Sequence, residues 1–128
     1  MRALVLDSGA VSYFVQGSGR AKALMAVLTS EDLWPPVVPS AVLVECLTGH
    51  PEKDARTNRF LKGCDIKASL SETGARRAAK LRTEAGRGSA VDAIIVAAAE
   101  PHGLVVTGDT ADITALAANA VSVTIHYV

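Results

Sequence analysis

The sequence predicts an α/β protein with a mostly parallel β-sheet that helices cover on both faces. Short apolar runs alternate along the chain with longer stretches that carry apolar residues at helical spacing. The short runs are apolar throughout rather than at every second position, which is typical of strands buried on both faces of a parallel sheet. Strands that alternate with helices in this way indicate a sheet built from crossover units.

Five segments have the composition of strands. The first reads ALVL over residues 3–6, and the fourth reads LVVT over residues 104–107. Both have the length of a buried strand. The other three predicted strands are residues 36–39, 65–68 and 121–127, and 65–68 carries the weakest signal.

Seven stretches between and beside these runs predict helices. Residues 20–29 place apolar side chains at helical spacing, and the helix that begins at Ala41 is stopped near Thr48 by Gly49 and Pro51. The predicted helices span residues 10–16, 20–29, 41–48, 52–62, 72–85, 90–100 and 110–118.

Length and composition indicate one soluble domain over residues 1–128. The chain is 49% hydrophobic and 20% charged, which is the composition of a protein with a packed core. No apolar run approaches the ~20 residues of a membrane-spanning helix. The first apolar stretch ends at Asp7 and does not form a signal peptide, so a cytoplasmic location is expected. Cys46 and Cys64 lack metal-site spacing, which argues against structural zinc.

The charge distribution is uneven although the net charge is zero. Residues 52–87 contain ten lysines and arginines but only five aspartates and glutamates. A solvated helical surface explains such a run by itself, and a polyanionic partner is the alternative.

Carboxylates follow the predicted strands. Asp7 ends the first strand, and Asp109 follows the fourth after one glycine, with Asp112 three residues later. Glu45 lies just over one turn into the helix after the second strand, and Asp92 lies in the first turn of an otherwise apolar helix. Ligands of parallel sheets bind at the carboxyl ends of the strands, so these positions are candidates for a shared site.

Local capping is the alternative explanation for these residues. Ser89 and Asp92 have the spacing of a capping box, Asp109 can cap the helix that begins at Thr110, and Asp7 can form a turn with its own backbone. Glu45 lies too deep in its helix to cap it. Both interpretations stay open at the level of the sequence.

A hard divalent cation would explain why several carboxylates meet, because like charges otherwise repel and raise one another's pKa values. The three histidines do not fall in a ligand pattern, and oxygen-only ligation selects Mg²⁺ or Mn²⁺. Such ions commonly serve phosphodiester chemistry. On this interpretation the small residues Ser8, Gly9 and Ala10 leave room for the ion beside Asp7.

Four segments carry a family resemblance: LVLDSGA, VPSAVLVECLTG, SAVDAIIVAAAEPHG and LVVTGDTADITALA. In series they resemble the acidic motifs of PIN-domain ribonucleases, and the short layout resembles VapC-type toxins of type II toxin–antitoxin pairs. The resemblance covers essentially the whole chain. It implies a three-layer α/β/α sandwich with a mostly parallel central sheet, and Mg²⁺- or Mn²⁺-dependent endoribonuclease activity. It also implies a homodimer, or a larger assembly with a small antitoxin whose C-terminal segment wraps the toxin.

The resemblance assigns roles to individual residues. The metal-binding and catalytic acids of the family fall on Asp7, Glu45, Asp92 and Asp109, and Asp112 matches an additional acid of many members. Some relatives carry Asn at the position of Asp109, so the relative weight of Asp109 and Asp112 stays open. Ser8 and Thr107 match supporting hydroxyl positions. In the expected mechanism Asp7, Asp92 and Asp109 bind the cation, Glu45 lies across the site, and water is the nucleophile.

An RNA substrate fits the remaining charge. When the five candidate acids are set aside, the chain has eight acidic and 13 basic residues, so the rest of the chain is net positive. The candidate contacts to RNA phosphates are Arg20, Arg76, Arg77, Lys80 and Arg87.

Apolar residues give a less specific signal about a partner protein. Their helical spacing is typical of core, and a groove for an antitoxin helix is the alternative. These residues are Val11, Tyr13, Phe14, Leu47 and Phe60. Trp34, before two prolines, is expected to anchor a packed loop.

Other functions are open alternatives. One alternative is a catalytically inactive PIN scaffold that binds RNA or a partner protein. Another is a phosphatase of the haloacid-dehalogenase type. Gly9 argues against the phosphatase, because that family needs a second carboxylate at this position. A phosphoacceptor receiver domain normally begins with an adjacent acidic pair, which this sequence lacks.

Overall fold

The computed structural model describes residues 2–128, and within them five strands form one sheet. The strands are β1 (Leu4–Leu6), β2 (Val37–Pro39), β3 (Asp65–Lys67), β4 (Leu104–Thr107) and β5 (Thr124–Tyr127). All neighbouring strands are parallel, in the order β3-β2-β1-β4-β5. Each predicted strand is present, including the weak segment at 65–68, which pairs with β2 at the edge of the sheet.

Seven helices occur in residues 2–128. They are α1 (Ser8–Gln16), α2 (Gly19–Ser30), α3 (Ser40–Cys46), α4 (Pro51–Leu61), α5 (Glu72–Ala85), α6 (Ala90–Ala99) and α7 (Thr110–Ala117). Their ends differ from the predicted ends by at most two residues. None of these helices has both the length and the apolar character that crossing a membrane requires.

The helices form two groups around the sheet. Helix α1 packs on β1 and β4 and contacts α2, α3 and α4, whereas α6 packs on β1, β2 and β4 and contacts α5 and α7. The predicted three-layer arrangement with a parallel central sheet is confirmed. The central strands β1 and β4 are buried along their whole length, as continuous apolar runs predict.

An aromatic cluster closes the core on the side of α1. Val11 and Phe14 are buried, and the ring of Trp34 packs edge-on against Phe14 and Phe60, with centroids 5.4 and 6.1 Å apart. Trp34 therefore anchors its loop as predicted. Val11 and Phe14 belong to the core, while Tyr13 and Phe60 are only half-buried.

The order of the strands creates a switch point at the centre of the sheet. The chain runs outward from β1 through β2 to β3, and then returns through α5 and α6 to place β4 on the other side of β1. The carboxyl ends of β1 and β4 therefore lie side by side where the winding reverses. This is the place where parallel sheets bind ligands.

A partly buried ion pair joins α5 to the far end of α6. The Nε and Nη2 atoms of Arg77 each donate to a carboxylate oxygen of Glu100 at 2.7 Å. The backbone N–H of Val121 donates to the same carboxylate at 2.7 Å. The hydrogen bond from Arg77 holds the pKa of Glu100 below its ordinary value of 4.5, against the opposing effect of burial.

Replacing Glu100 with Gln is therefore expected to lower the free energy of unfolding by about 2 kcal/mol at neutral pH, because Arg77 loses a charged partner. The pKa of Glu100 is lower in the folded state than in the unfolded state. Its contribution is thus complete above about pH 4.5 and is lost as the pH falls through the folded-state value.

Urea unfolding of both proteins across this pH range measures the effect, and the difference between them should close in acid. A difference that stays constant down to pH values well below 4 would contradict this account. Glu72→Gln, which removes an exposed ion pair with Arg76, is the control and should change stability by less than about 0.5 kcal/mol.

Candidate functional site

Asp7 is buried at the carboxyl end of β1, with 5% of its surface exposed. Its Oδ1 accepts a hydrogen bond from the backbone N–H of Ala10 at 2.8 Å and thereby caps α1. Its Oδ2 accepts from the hydroxyl of Thr107, and the N–H of Gly108 donates to both oxygens at 3.2 and 3.3 Å. Donors from the neighbouring strand thus compensate the burial of this carboxylate.

Thr107 connects Asp7 to the next carboxylate. Its hydroxyl oxygen also accepts from the backbone N–H of Asp109 at 2.8 Å. Asp109 in turn caps α7, because its Oδ1 accepts from the N–H of Asp112 at 3.2 Å. Thr107, at the end of β4, therefore links the carboxylate of Asp7 to the backbone of Asp109.

Three carboxylates meet beside this turn and form what we call the acidic cluster: Asp92, Asp109 and Asp112. One carboxylate oxygen from each lies within 4.8 Å of the others, and all three residues are half-buried. They come from the first turn of α6, the cap of α7 and the first turn of α7. Residues separated by up to 20 positions thus converge because both helices begin at the same edge of the sheet.

Two residues of the acidic cluster, Asp92 and Asp109, also cap helices. The hydroxyl of Ser89 accepts from the N–H of Asp92 at 3.0 Å, and Oδ2 of Asp92 accepts from the N–H of Ser89 at 3.2 Å. Within residues 2–128, the second oxygens of Asp92 and Asp109 accept no hydrogen bond. The cap therefore fixes each carboxylate and leaves one oxygen open to a ligand.

The donor set of the acidic cluster fits a hard divalent cation. It offers carboxylate oxygens without sulfur or imidazole, which is the ligand chemistry of Mg²⁺ and Mn²⁺. A gap of up to 4.8 Å between the oxygens is close to the span of two ligands on opposite sides of such an ion, about 4.2 Å. Without a cation, three half-buried carboxylates this close together repel one another.

The structure does not bring Glu45 into this cluster. Glu45 is exposed in the last turn of α3, and within residues 2–128 its carboxylate has no hydrogen-bond or ion-pair partner. Its neighbour Val44 is 82% exposed, so this face of α3 points to solvent. Asp7 also lies outside the cluster and is joined to it through Thr107 and Gly108.

The small residues after Asp7 have packing roles. A β-carbon on Gly9 would lie 3.0 Å from the Cα of Gly108, so the missing side chain lets the first turn of α1 approach the turn after β4. Ala10 is buried in the core, and Ser8 is half-buried at the start of α1. The structure thus shows close backbone packing here, where the sequence analysis expected space for an ion.

Most of the candidate phosphate contacts are held in ion pairs. Arg76 pairs with Glu72 at 2.9 Å, Lys80 with Glu84 at 3.9 Å and Arg87 with Asp112 at 2.7 Å. Arg77 pairs with Glu100, as described above, and Arg20 is exposed at the start of α2.

Helix α4 presents basic residues that the sequence analysis did not single out. Within residues 2–128 four exposed bases, three in α4 and one at its C-cap, have no carboxylate partner. They are Lys53, Arg56, Arg59 and Lys62. Asp54 of the same helix is buried, and hydrogen bonds from Thr48 and Gly49 lower its pKa, so its charge points inward. The local excess of bases in residues 52–62 was the available signal.

A large cavity lies away from the acidic cluster. It has a volume of about 930 Å³ between the sheet, α5 and α6, and Trp34, Leu70 and Ile94 contribute to its lining. None of the residues of the acidic cluster lines it. This cavity and the acidic cluster are therefore separate features of the fold.

Comparison with known proteins agrees with this architecture. The PIN domain family matches residues 4–118. No curated protein matches the sequence. A toxin–antitoxin complex from Klebsiella pneumoniae contains a similar chain, with a TM-score of 0.68, 23% identity, and coverage of 95% of this chain and 96% of that one.

The crystal structure of FitAcB from Neisseria gonorrhoeae is similar as well, with a TM-score of 0.65 and 21% identity over 94% of this chain and 96% of that one. At such identities the likeness concerns the fold. The family match itself includes Asp7, Glu45 and the whole acidic cluster and spans most of the sequence. The chain belongs to the PIN-domain family.

Proposed function

We propose that the protein is a Mg²⁺- or Mn²⁺-dependent endoribonuclease that acts as the toxin of a VapC-type toxin–antitoxin pair. The observation that carries this proposal is the acidic cluster, which stands beside Asp7 at the switch point of a PIN domain. PIN domains are generally nucleases. The family match gives no support to the phosphatase alternative.

The residues of the site have separable roles in this proposal. Asp92 and Asp109 would hold the cation through the oxygens that capping leaves open, and Asp112 through the oxygen that does not pair with Arg87. Asp7 fixes Thr107 and Gly108, and with them the backbone that carries Asp109, and its negative charge would add to the attraction of the site for the cation. When bound, the cation lowers the pKa of water and offsets the charge that develops on the phosphoryl oxygens.

Two sequence-derived candidates complete the proposed site. Glu45 is proposed to act across the site from the acidic cluster, when one RNA substrate contacts both α3 and the cluster. Ser8, in the first turn of α1, is proposed to support Asp7. Water is the nucleophile, and the oxygen that leaves phosphorus takes up a proton, so hydrolysis forms no covalent bond to the chain.

An antitoxin and a second copy of the chain are the proposed protein partners. A cleft of about 320 Å³ between α1 and α4 is lined by Phe14, Val15 and Phe60, with Arg56 and Arg59 beside them. An antitoxin segment with apolar and acidic side chains complements this surface. Val44 and Leu70 are exposed apolar side chains elsewhere and suit a contact between copies.

The proposal is tested by incubating the purified protein with total RNA and either Mg²⁺ or Mn²⁺, and sequencing the new 5′ ends. Discrete ends that disappear with EDTA support a nuclease, and intact RNA under all conditions supports the inactive scaffold. Turnover of small phosphomonoesters without RNA cleavage would indicate a phosphatase. Growth arrest on expression, relieved by an adjacent small open reading frame, tests the toxin role.

Cation binding should also stabilise the fold, because it relieves repulsion within the acidic cluster. Mn²⁺ at about 100 times its dissociation constant is expected to add about 2.7 kcal/mol to the free energy of unfolding. For a chain of this size the melting temperature should rise by about 10 °C. Differential scanning calorimetry with and without Mn²⁺ measures this shift.

Asp92→Asn should remove most of the Mn²⁺ shift, whereas Asp65→Asn, on the exposed edge strand β3, should leave it unchanged. An equal shift in the wild type and in Asp92→Asn would show that the ion binds elsewhere.

A further inference from the structure

The turn between α5 and α6 is fixed against α7. Gly86 and Gly88 adopt positive φ angles of 69° and 99°. A β-carbon on Gly88 would lie 2.8 Å from a methyl group of Leu116, so the turn packs directly on α7. The Nε of Arg82 donates to the carbonyl of Gly88 at 2.9 Å and links the turn to α5.

This turn places Arg87 beside the acidic cluster. The Nε of Arg87 donates to Oδ1 of Asp112 at 2.7 Å, and the arginine side chain remains 56% exposed. Within residues 2–128 its two Nη groups donate no hydrogen bond. The guanidinium is thus tied to a cluster carboxylate through one nitrogen and offers its remaining N–H groups outward.

Two arginines of α5 form ion pairs with glutamates outside the acidic cluster. Arg77 uses Nε and Nη2 on Glu100, and Nη2 also donates to the carbonyl of Asn119 at 3.4 Å. Arg76 pairs with Glu72 on the exposed face of α5. Among the bases of residues 2–128, Arg87 alone forms an ion pair with a member of the acidic cluster.

We propose that Arg87 binds a backbone phosphate of the RNA substrate immediately beside the acidic cluster, while its Nε stays bonded to Asp112. A guanidinium presents parallel N–H donors that match phosphate oxygens, and it keeps its charge at all physiological pH values. The fixed turn holds the donors in place before the substrate arrives. This inference rests on the proposed function, because RNA supplies the phosphate.

Binding is measured apart from cleavage in the Asp92→Asn background, in EDTA, by fluorescence anisotropy with a fluorescein-labelled single-stranded RNA of mixed sequence. Adding Arg87→Gln should weaken binding about tenfold, because charge-assisted contacts to phosphate are lost. Arg87→Lys keeps the charge but not the planar fork and should weaken binding about threefold. Lys67→Gln, which also removes one base from an exposed ion pair, here with Asp65, is the matched control and should change binding by less than about twofold.

A second readout separates phosphate binding from positioning of Asp112. Isothermal titration of the wild-type chain and of Arg87→Gln with Mn²⁺ should give an affinity for the variant that is no weaker, because a positive charge near the site is removed. Weaker Mn²⁺ binding together with unchanged RNA binding would overturn the proposal and make Arg87 a positioning residue for Asp112. An equal loss of RNA affinity in Lys67→Gln would overturn it too, in favour of general charge attraction.

The outcomes also distinguish this inference from the proposed catalysis. If the wild-type chain cleaves no RNA but Arg87→Gln still weakens binding, the phosphate contact stands and the nuclease proposal fails. If RNA is cleaved and Arg87→Gln binds as tightly as its parent, the phosphate contact alone fails. Absence of measurable RNA binding by the Asp92→Asn parent would count against both.

Discussion

Asp92→Asn should lower the rate of RNA cleavage by about 10³-fold, which corresponds to the several kcal/mol that a bound cation contributes to such a reaction. The folded structure should survive, because an asparagine oxygen can still accept the hydrogen bond from Ser89 N–H that completes the cap of α6. We therefore expect a melting temperature within about 2 °C of the wild type. Single-turnover cleavage assays and calorimetry on the same preparation measure both quantities.

Asp7→Asn is a less informative variant at the same site. Both oxygens of Asp7 accept hydrogen bonds in a buried position, from Ala10, Thr107 and Gly108, and an amide nitrogen cannot accept them. Loss of activity in that variant would mix chemistry with unfolding. Asp65→Asn serves as the neutral control for Asp92→Asn, and retention of normal cleavage by Asp92→Asn would remove the acidic cluster from the mechanism.

Gly103→Ala should be the most destabilising single methyl group that can be added to this chain at a described glycine. A β-carbon at Gly103 would lie 2.2 Å from the carbonyl oxygen of Ala99 and 2.9 Å from that of Ala3. Both atoms belong to the backbone. The clash is therefore relieved only if the segment at Gly103 moves away from α6 and from the residue before β1. We expect a loss of about 4 kcal/mol in the free energy of unfolding, measured by urea denaturation.

Gly19→Ala is the matched control for this prediction. Gly19 is the first residue of α2, and no atom lies within 4 Å of the position that its β-carbon would take. The substitution should be neutral or stabilising by up to about 1 kcal/mol, because alanine favours helices. A Gly103→Ala protein as stable as Gly19→Ala would show that the junction of α6, β1 and β4 is looser than the structure indicates.

The fold was predictable because its signals are local. Continuous apolar runs identified the strands, and glycines, prolines and capping residues such as Ser89 marked where helices begin and end. The convergence of Asp7 and Asp109 also followed, since carboxyl ends of neighbouring parallel strands meet at one edge. Sequence could not settle whether Asp92 and Asp109 cap helices or converge, and the structure shows that each of them caps a helix and also lies in the acidic cluster.

Side-chain partners beyond the local sequence were not predictable. Glu45 was expected to lie across the site, but α3 buries Val42 and leaves Val44 and Glu45 in solvent. The pair of Arg87 with Asp112 joins residues 25 positions apart, and no periodicity reports such a contact. The inward orientation of Asp54, which leaves α4 with a basic outer face, likewise depends on a turn that only the folded chain forms.

Asp7, Asp92 and Asp109 cap helices at positions that we also propose to serve the site, and this constrains how copies of this gene can decay. Each begins a helix or completes its cap, so a mutation that silences the protein by replacing one with an aliphatic residue also weakens the fold. Inactivated descendants that persist should therefore carry asparagine, serine or threonine at positions 92 and 109, and should keep Asp7, whose two buried oxygens both accept hydrogen bonds. Lineages that lost only the chemistry would be recognisable by that polar signature.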